Sequence, residues 1–184
     1  MLHRILQQMN TLPRSAWKVL EKKQRTWQIL LKRQGLAIEK LDQATQLITT
    51  AVKTMLSSKR VQWLFDNQHQ DIHCEYQLSY KVNDQTKQIV IDRTFIADNT
   101  RWIIDFKITT TNAGESLNNF LQRQQRQHQQ QLQTYANTLA AMQNKSIKLG
   151  LYFPLLDVWI AWPYLTNNYF ATKEVKSSKS SGNG

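Results

Sequence analysis

The chain has a single cysteine, Cys74, among its 184 residues, which excludes an internal disulfide and a zinc site built on thiolates. A chain so poor in thiols is expected in a reducing cytoplasm. Long apolar runs are missing too: no stretch approaches the roughly 18 consecutive apolar residues that a membrane span requires. The first residues do not read as a secretory leader, because His3, Arg4 and two glutamines interrupt Leu2, Ile5, Leu6 and Met9. No G-x-x-x-x-G-K-[ST] loop occurs, so ATP hydrolysis by that route is excluded. Acidic residues are also scarce, 13 against 24 Lys and Arg, giving a formal net charge of +11. A polyanion is the natural partner of such a chain, and nucleic acid suits it better than an anionic membrane.

What is present is enough apolar material for a core. Hydrophobic residues make up 41% of the chain, with six Trp, six Tyr and six Phe. Residues 1–10 and about 15–33 read as helical and basic, separated by Pro13. Trp17, Leu20, Trp27, Leu30 and Leu31 recur at helical spacing there, among Arg14, Lys18, Lys22, Lys23, Arg25, Lys32 and Arg33. A further helix is expected from Leu36 through Met55, ending near Ser57-Ser58.

The period then changes to two. Residues 73–82, 88–97 and 100–109 read as strands, joined by turns at Asn83-Asp84-Gln85 and Asp98-Asn99. A long helix is expected over about 115–143, with Leu117, Leu121, Leu132, Tyr135, Leu139 and Met142 on one face. It contains the Gln-rich run 122–133. Strands at 147–153 and 158–162 follow. The whole reads as a mixed α/β domain over 1–172, with helices in 1–58 and the sheet and long helix in 72–172. Residues 173–184 read as a disordered tail.

The second hairpin carries the chemistry. If Asp98-Asn99 is a two-residue turn, Ala97 pairs with Thr100 and Asp92 falls opposite Asp105. Alternation then gives one buried face to Ile89, Ile91, Phe95, Trp102, Ile104, Phe106 and Ile108, with Arg93 as its polar member. The other face carries Asp92, Asp105 and Lys107 among Val90, Ile96 and Ile103. Carboxylates placed so closely repel unless a positive charge lies between them. A divalent cation answers that need, and oxygen ligands suit Mg²⁺ or Mn²⁺. The plainer alternative is a hairpin with a surface Asp–Lys pair.

Ile91-Asp-Arg-Thr-Phe95 followed by Trp102-Ile-Ile-Asp-Phe-Lys107 resembles the PD-(D/E)XK nuclease superfamily, and within it the C-terminal nuclease domain of RecB/AddA-type helicase–nucleases. Three more segments resemble that family in the same order, so that the likeness spans about residues 1–143. Met1-Leu-His-Arg-Ile-Leu-Gln-Gln-Met9 looks like its opening helix. Lys59-Arg-Val-Gln-Trp-Leu-Phe65 with His73-Cys-Glu75 resembles the approach to the first core strand. Gln131-Leu-Gln-Thr-Tyr135 looks like its Q-L-x-x-Y motif.

The resemblance implies a restriction-endonuclease-like core, with a central mixed sheet of about five strands flanked by helices. It makes His3, Asp92, Asp105 and the Phe106 backbone carbonyl ligands of Mg²⁺ or Mn²⁺, and Lys107 the catalytic lysine. Gln131 and Tyr135 would support the site or touch the DNA backbone, and Glu75 is either a supporting acid or an exposed strand residue. His69 and His73 match no part of the motif. Phosphodiester hydrolysis of DNA in repair or recombination is the implied activity. Arg14, Lys18, Lys22, Lys23 and Arg25 would supply backbone affinity. The family's helicase motor is missing here, which points to a separated or a truncated module, with DNA as partner and any helicase subunit in trans. The rival reading is a catalytically inactive DNA-binding or scaffold module that keeps the fold.

Overall fold

The computed structural model describes residues 2–165, the side chains of Leu2, His3 and Val82 excepted. The expected tail at 173–184 lies outside the described residues. The fold is mixed α/β: a five-stranded sheet in the order β1-β2-β3-β4-β5, flanked by helices, with a helical region at the N-terminal end. The strands are β1 (Gln70–Val82), β2 (Gln85–Ala97), β3 (Thr100–Phe106), β4 (Ser146–Phe153) and β5 (Val158–Pro163). Strands β3 and β4 run parallel and every other neighbouring pair is antiparallel. A parallel pair needs a crossover, and α5 (Leu117–Ala140) supplies it.

Helices α1 (Leu2–Thr11), α2 (Gln24–Arg33), α3 (Ile38–Ser57) and α4 (Lys59–Leu64) precede the sheet. Together with a 3₁₀ helix at Arg14–Lys23, they cover one face through Ile5, Leu6, Trp17, Leu20, Trp27, Val52 and Met55. Helix α5 covers the other through Phe120, Leu132, Tyr135, Ala136 and Leu139. The expected single helix over 15–33 is therefore two pieces. Arg14, Trp17 and Leu20 stand three apart, so they align on a helix of three residues per turn. The Trp17 indole N–H reaches the Met9 carbonyl at 3.0 Å, which pins that edge to α1. Helix α4 was not anticipated, because six residues are too few to show a period.

Both hairpin turns have the mirror-image geometry that suits twisted strands. Asn83 and Asp84 have φ of 49° and 61°, and Asp98 and Asn99 have 49° and 55°. The first turn is thus Asn83-Asp84, with Gln85 already in β2 and not in the loop. The second sets Ala97 opposite Thr100, as its sequence implies.

The predicted hairpin face is only partly right. Phe95, Trp102, Ile104 and Phe106 pack with the N-terminal helices, whereas Ile89 and Ile91 pack on the α5 side. Their partners change sides with them: Ile72 and Cys74 lie with the first group, Tyr76 and Leu78 with the second. The β1–β2 ribbon rolls over between the pairs Cys74↔Arg93 and Tyr76↔Ile91. Glu75, between them, has a φ of 53°, and a left-handed residue interrupts the pleat on which alternation depends. Ile108 lies past the end of β3, which stops at Phe106 and not at 109, and it is exposed. On α5, Phe120 holds the core position while Leu117 and Met142 are exposed, because the helix begins and ends inside the predicted span.

Arg93 ties the layers together. It is 1% exposed, its Nε donates to the Leu64 carbonyl at 2.6 Å and its Nη1 to Asn10 Oδ1 at 2.8 Å. The guanidinium lies 4.1 Å from the Phe65 ring centroid. Burial lowers its pKa to about 10. Arg93→Ala leaves the buried Leu64 carbonyl unsatisfied beside a cavity, and should cost about 3 kcal/mol. Urea denaturation monitored by tryptophan fluorescence measures this, and an unchanged midpoint would contradict it.

A surface staple joins the loop after β3 to α5. Glu115 accepts from Arg123 Nε and Nη2 at 2.7 and 2.8 Å and from the Asn112 amide at 2.9 Å. These contacts, Arg123 foremost, lower its pKa from 4.5 to about 2. A carboxylate depressed on folding stabilises above its unfolded pKa and stops doing so as pH falls through the folded value. The Tm difference between wild type and Glu115→Gln should therefore be present at pH 6 and shrink as pH falls from 4.5 towards 2. A difference that stays constant across that window would show that the Glu115 charge contributes nothing.

Candidate active site

The β2–β3 ladder is regular from Ala97↔Thr100 to Arg93↔Ile104, and the next position holds Asp92 and Asp105. There the strands cease to exchange backbone bonds. Instead the Asp92 Oδ2 accepts the Phe106 amide N–H at 2.9 Å. A side chain thus takes the place of a ladder carbonyl, and the hairpin parts just where its two carboxylates lie. Both are buried, Asp92 at 5% and Asp105 at 3% exposure. Strand β3 meanwhile stays paired with β4 through Asp105↔Leu151 and Phe106↔Tyr152. The Lys107 amide continues that edge by donating to the Tyr152 carbonyl at 3.0 Å.

Two residues beyond Asp105, Lys107 returns to the same side. Its Nζ lies 2.8 Å from Asp105 Oδ2, with the lysine side chain 25% exposed and the aspartate 4%. The pair therefore has one end in the interior and one facing solvent. The surface Asp–Lys reading of the hairpin does not hold, because the acid is covered.

The cover is α5. Gln131 Nε2 donates to Asp105 Oδ1 at 3.3 Å and to the Tyr135 hydroxyl oxygen at 2.6 Å. Residues four apart share a helix face, which is why the Gln131–Tyr135 spacing delivers both to one place. Burial raises the Tyr135 pKa, the Gln131 hydrogen bond opposes this, and the charges of Asp105 and Asp92 add to the rise. The phenol therefore stays protonated within the field of both carboxylates. On the same face Gln124 is buried and His128 half-buried. The His128 pKa is lowered by burial first and by the Lys107 charge second, against a contact with Gln131 that raises it.

Asp92, Asp105, Phe106, Lys107, Gln131 and Tyr135 are thus brought together. The side chain of His3 is outside the described residues; its backbone lies in α1. Glu75 is half-buried and stands across β1–β2 from Asp92, at the roll of the ribbon. His69 and His73 lie elsewhere: His69 stacks on Phe95 with centroids 4.3 Å apart, and His73 pairs with Asp71 at 2.7 Å.

The five basic residues of the N-terminal region divide. Arg14 donates to the Gln62 carbonyl at 2.8 Å and Lys23 to Gln8 Oε1 at 3.0 Å, so both support the fold. Lys18, Lys22 and Arg25 are exposed. His128 is a neighbour to which the sequence motifs assign no role. Its signal was its position three residues before Gln131.

Two buried carboxylates with a backbone peptide beside them form a hard oxygen donor set that suits Mg²⁺ or Mn²⁺. Among the described residues no group of three or more His, Cys, Asp and Glu converges as a metal cluster.

No protein-family model matches the chain, and no curated protein matches it. A solved structure described as that of SSO0001 is similar over 77% of this chain and 71% of its own, at 14% identity and a TM-score of 0.35.

The electrostatic contact between Lys107 and His128 is open to direct test. Removing the lysine charge in Lys107→Met should move the His128 pKa up towards the ordinary histidine value, since the cation holds it down. Titration of the histidine ring protons by NMR reads this, with His128→Gln assigning the resonance. No upward movement would separate the two side chains.

Proposed function

We propose that the chain is a metal-dependent deoxyribonuclease that hydrolyses phosphodiester bonds, a RecB/AddA-like module of the PD-(D/E)XK kind working in DNA repair or recombination. The observation that carries this is the buried Asp105 held between Lys107 and Gln131, one strand away from the buried Asp92. Two covered carboxylates at the parted end of a hairpin, with Lys107 beside them, are costly for stability alone. They are suited to gathering a divalent ion and a phosphate.

On this reading Asp92, Asp105, the Phe106 carbonyl and His3 would hold Mg²⁺ or Mn²⁺. Bound there, the ion would supply Lewis acidity towards the phosphate and a water of lowered pKa. Lys107 orients the attacking water and stabilises the negative charge that grows on the phosphoryl oxygens. Gln131 fixes Asp105 so that its second oxygen serves Lys107. Tyr135 remains a neutral hydrogen-bonding group and bears on the DNA backbone. Lys18, Lys22 and Arg25 add a sequence-independent attraction that falls steeply with salt.

The purified chain, given linear DNA with Mg²⁺ or Mn²⁺, should release nucleotides or fragments, and EDTA should stop it. Lys107→Ala should lower the rate roughly 10²–10³-fold. Asp105→Asn, close to isosteric, should abolish cleavage while circular dichroism shows the fold intact. DNA binding without cleavage across a range of Mn²⁺ concentrations would sink the enzymatic reading and leave an inactive DNA-binding module.

A further inference from the structure

The fold carries a second surface of a different chemistry. Beyond the C-terminal end of β4, a groove of about 780 Å³ is lined by Ser57, Ser58, Lys59, Arg60, Trp63 and Trp159, with Leu117 and Leu121 of α5 as a further wall. Its aromatic lining is Trp63 and Trp159, and Trp102 packs against both from beside the groove. Trp159 and Trp102 stack with centroids 5.6 Å apart at 23°, and Trp63 meets them edge-on at 5.9 and 5.1 Å. All three indoles are only half-buried.

Cations cap this platform. The Arg60 guanidinium sits 3.9 Å from the Trp159 ring centroid, and Lys148 Nζ sits 5.1 Å from that of Trp102. Among the described residues, Lys59, Arg60 and Lys148 have no ion-pair partner. The one carboxylate at the groove, Asp157, accepts the Tyr152 hydroxyl at 2.7 Å.

We infer that this groove binds a single strand of nucleic acid, with bases on Trp159 and Trp63 and phosphates on Lys59 and Arg60, and with Lys148 on Trp102 flanking the path. Stacked aromatic faces bordered by unpaired cations suit flexible strands, because every base has a π-face and every linkage a charge. A guanidinium over an indole also extends the platform, offering its own plane to a base and its N–H fork to a phosphate. Duplex DNA keeps its bases stacked inside and presents nothing to such a lining. The groove shares a helix with the carboxylate site. It opens at the C-terminal end of the parallel pair β3/β4, where Lys107 bonds the Tyr152 carbonyl, and α5 walls both places. The purpose of the groove rests on the nuclease reading, but its occupancy does not.

The test uses the full chain in EDTA, so that no cleavage intrudes, and a fluorescein-labelled oligo-dT of about twelve nucleotides, within the span that one such platform covers. Saturable anisotropy and quenching of tryptophan fluorescence are expected. Trp159→Ala should weaken binding tenfold or more, and Trp159→Phe should retain most of it. Arg60→Glu, at an exposed position, should weaken binding at least as much and lower the salt dependence, with circular dichroism unchanged. Lys87→Ala, exposed on β2 towards the opposite edge of the sheet from β5, should have little effect.

Wild-type affinity in a folded Arg60→Glu variant would overturn the proposal. So would a duplex of equal length binding tighter than the single strand, or no binding of oligo-dT at all, which would leave the platform to a protein partner. Binding in EDTA with no cleavage in Mn²⁺ would uphold the groove and refute only the nuclease reading.

Discussion

Two carboxylates on adjacent strands, each nearly sealed from solvent, impose the constraint around which this molecule is arranged. Removing a charge from water costs several kcal/mol unless donors replace the lost hydration. Among the described residues, replacements come from three directions. The Phe106 amide serves Asp92, Lys107 serves Asp105 from the strand's own continuation, and Gln131 reaches Asp105 from the helix above. Each requires a departure from regularity. The hairpin gives up its ladder beyond Arg93↔Ile104, the strand ends at Phe106, and a polar face of α5 is turned inward where an apolar one would pack more cheaply.

That inward polar face also accounts for the glutamine-rich helix. The run from 122 to 133 is no flexible tract, because Gln124 is buried, Gln131 bridges to Asp105, and Leu132 with Phe120 anchors the helix to the sheet. The Glu115–Arg123 staple then fixes the approach to its first turn. The rolled β1–β2 ribbon has the same effect from the other side. By turning Ile89, Ile91, Tyr76 and Leu78 to the α5 side, it extends the apolar cluster of the sheet's second face without another helix.

Positive charge is distributed in two ways. On the N-terminal helices it is partly structural, with Arg14 and Lys23 bonded to neighbouring segments, and partly open at Lys18, Lys22 and Arg25. At the β4–β5 end it is set against tryptophan faces. The first arrangement suits a diffuse attraction to phosphate and the second a strand held by its bases, so the two surfaces need not compete.

Much of the site was legible in the chain because it is local. The Asp98-Asn99 turn sets the register, the register sets Asp92 beside Asp105, the period of two returns Lys107, and a spacing of four joins Gln131 to Tyr135. Each of these is a short-range rule of backbone geometry. Long-range packing decided the rest. Nothing near Glu75 announces that the ribbon rolls there, since alternation is a property of one strand and the roll answers to two different helical layers. Nor could spacing join Arg60 to Trp159 or Trp63 to Trp102, which lie on separate elements that meet only when α4 packs on the sheet. The sequence by itself determined which carboxylates share a face, through pleat and turn. Only the tertiary structure decided that they are buried, because burial depends on what distant segments lay over them.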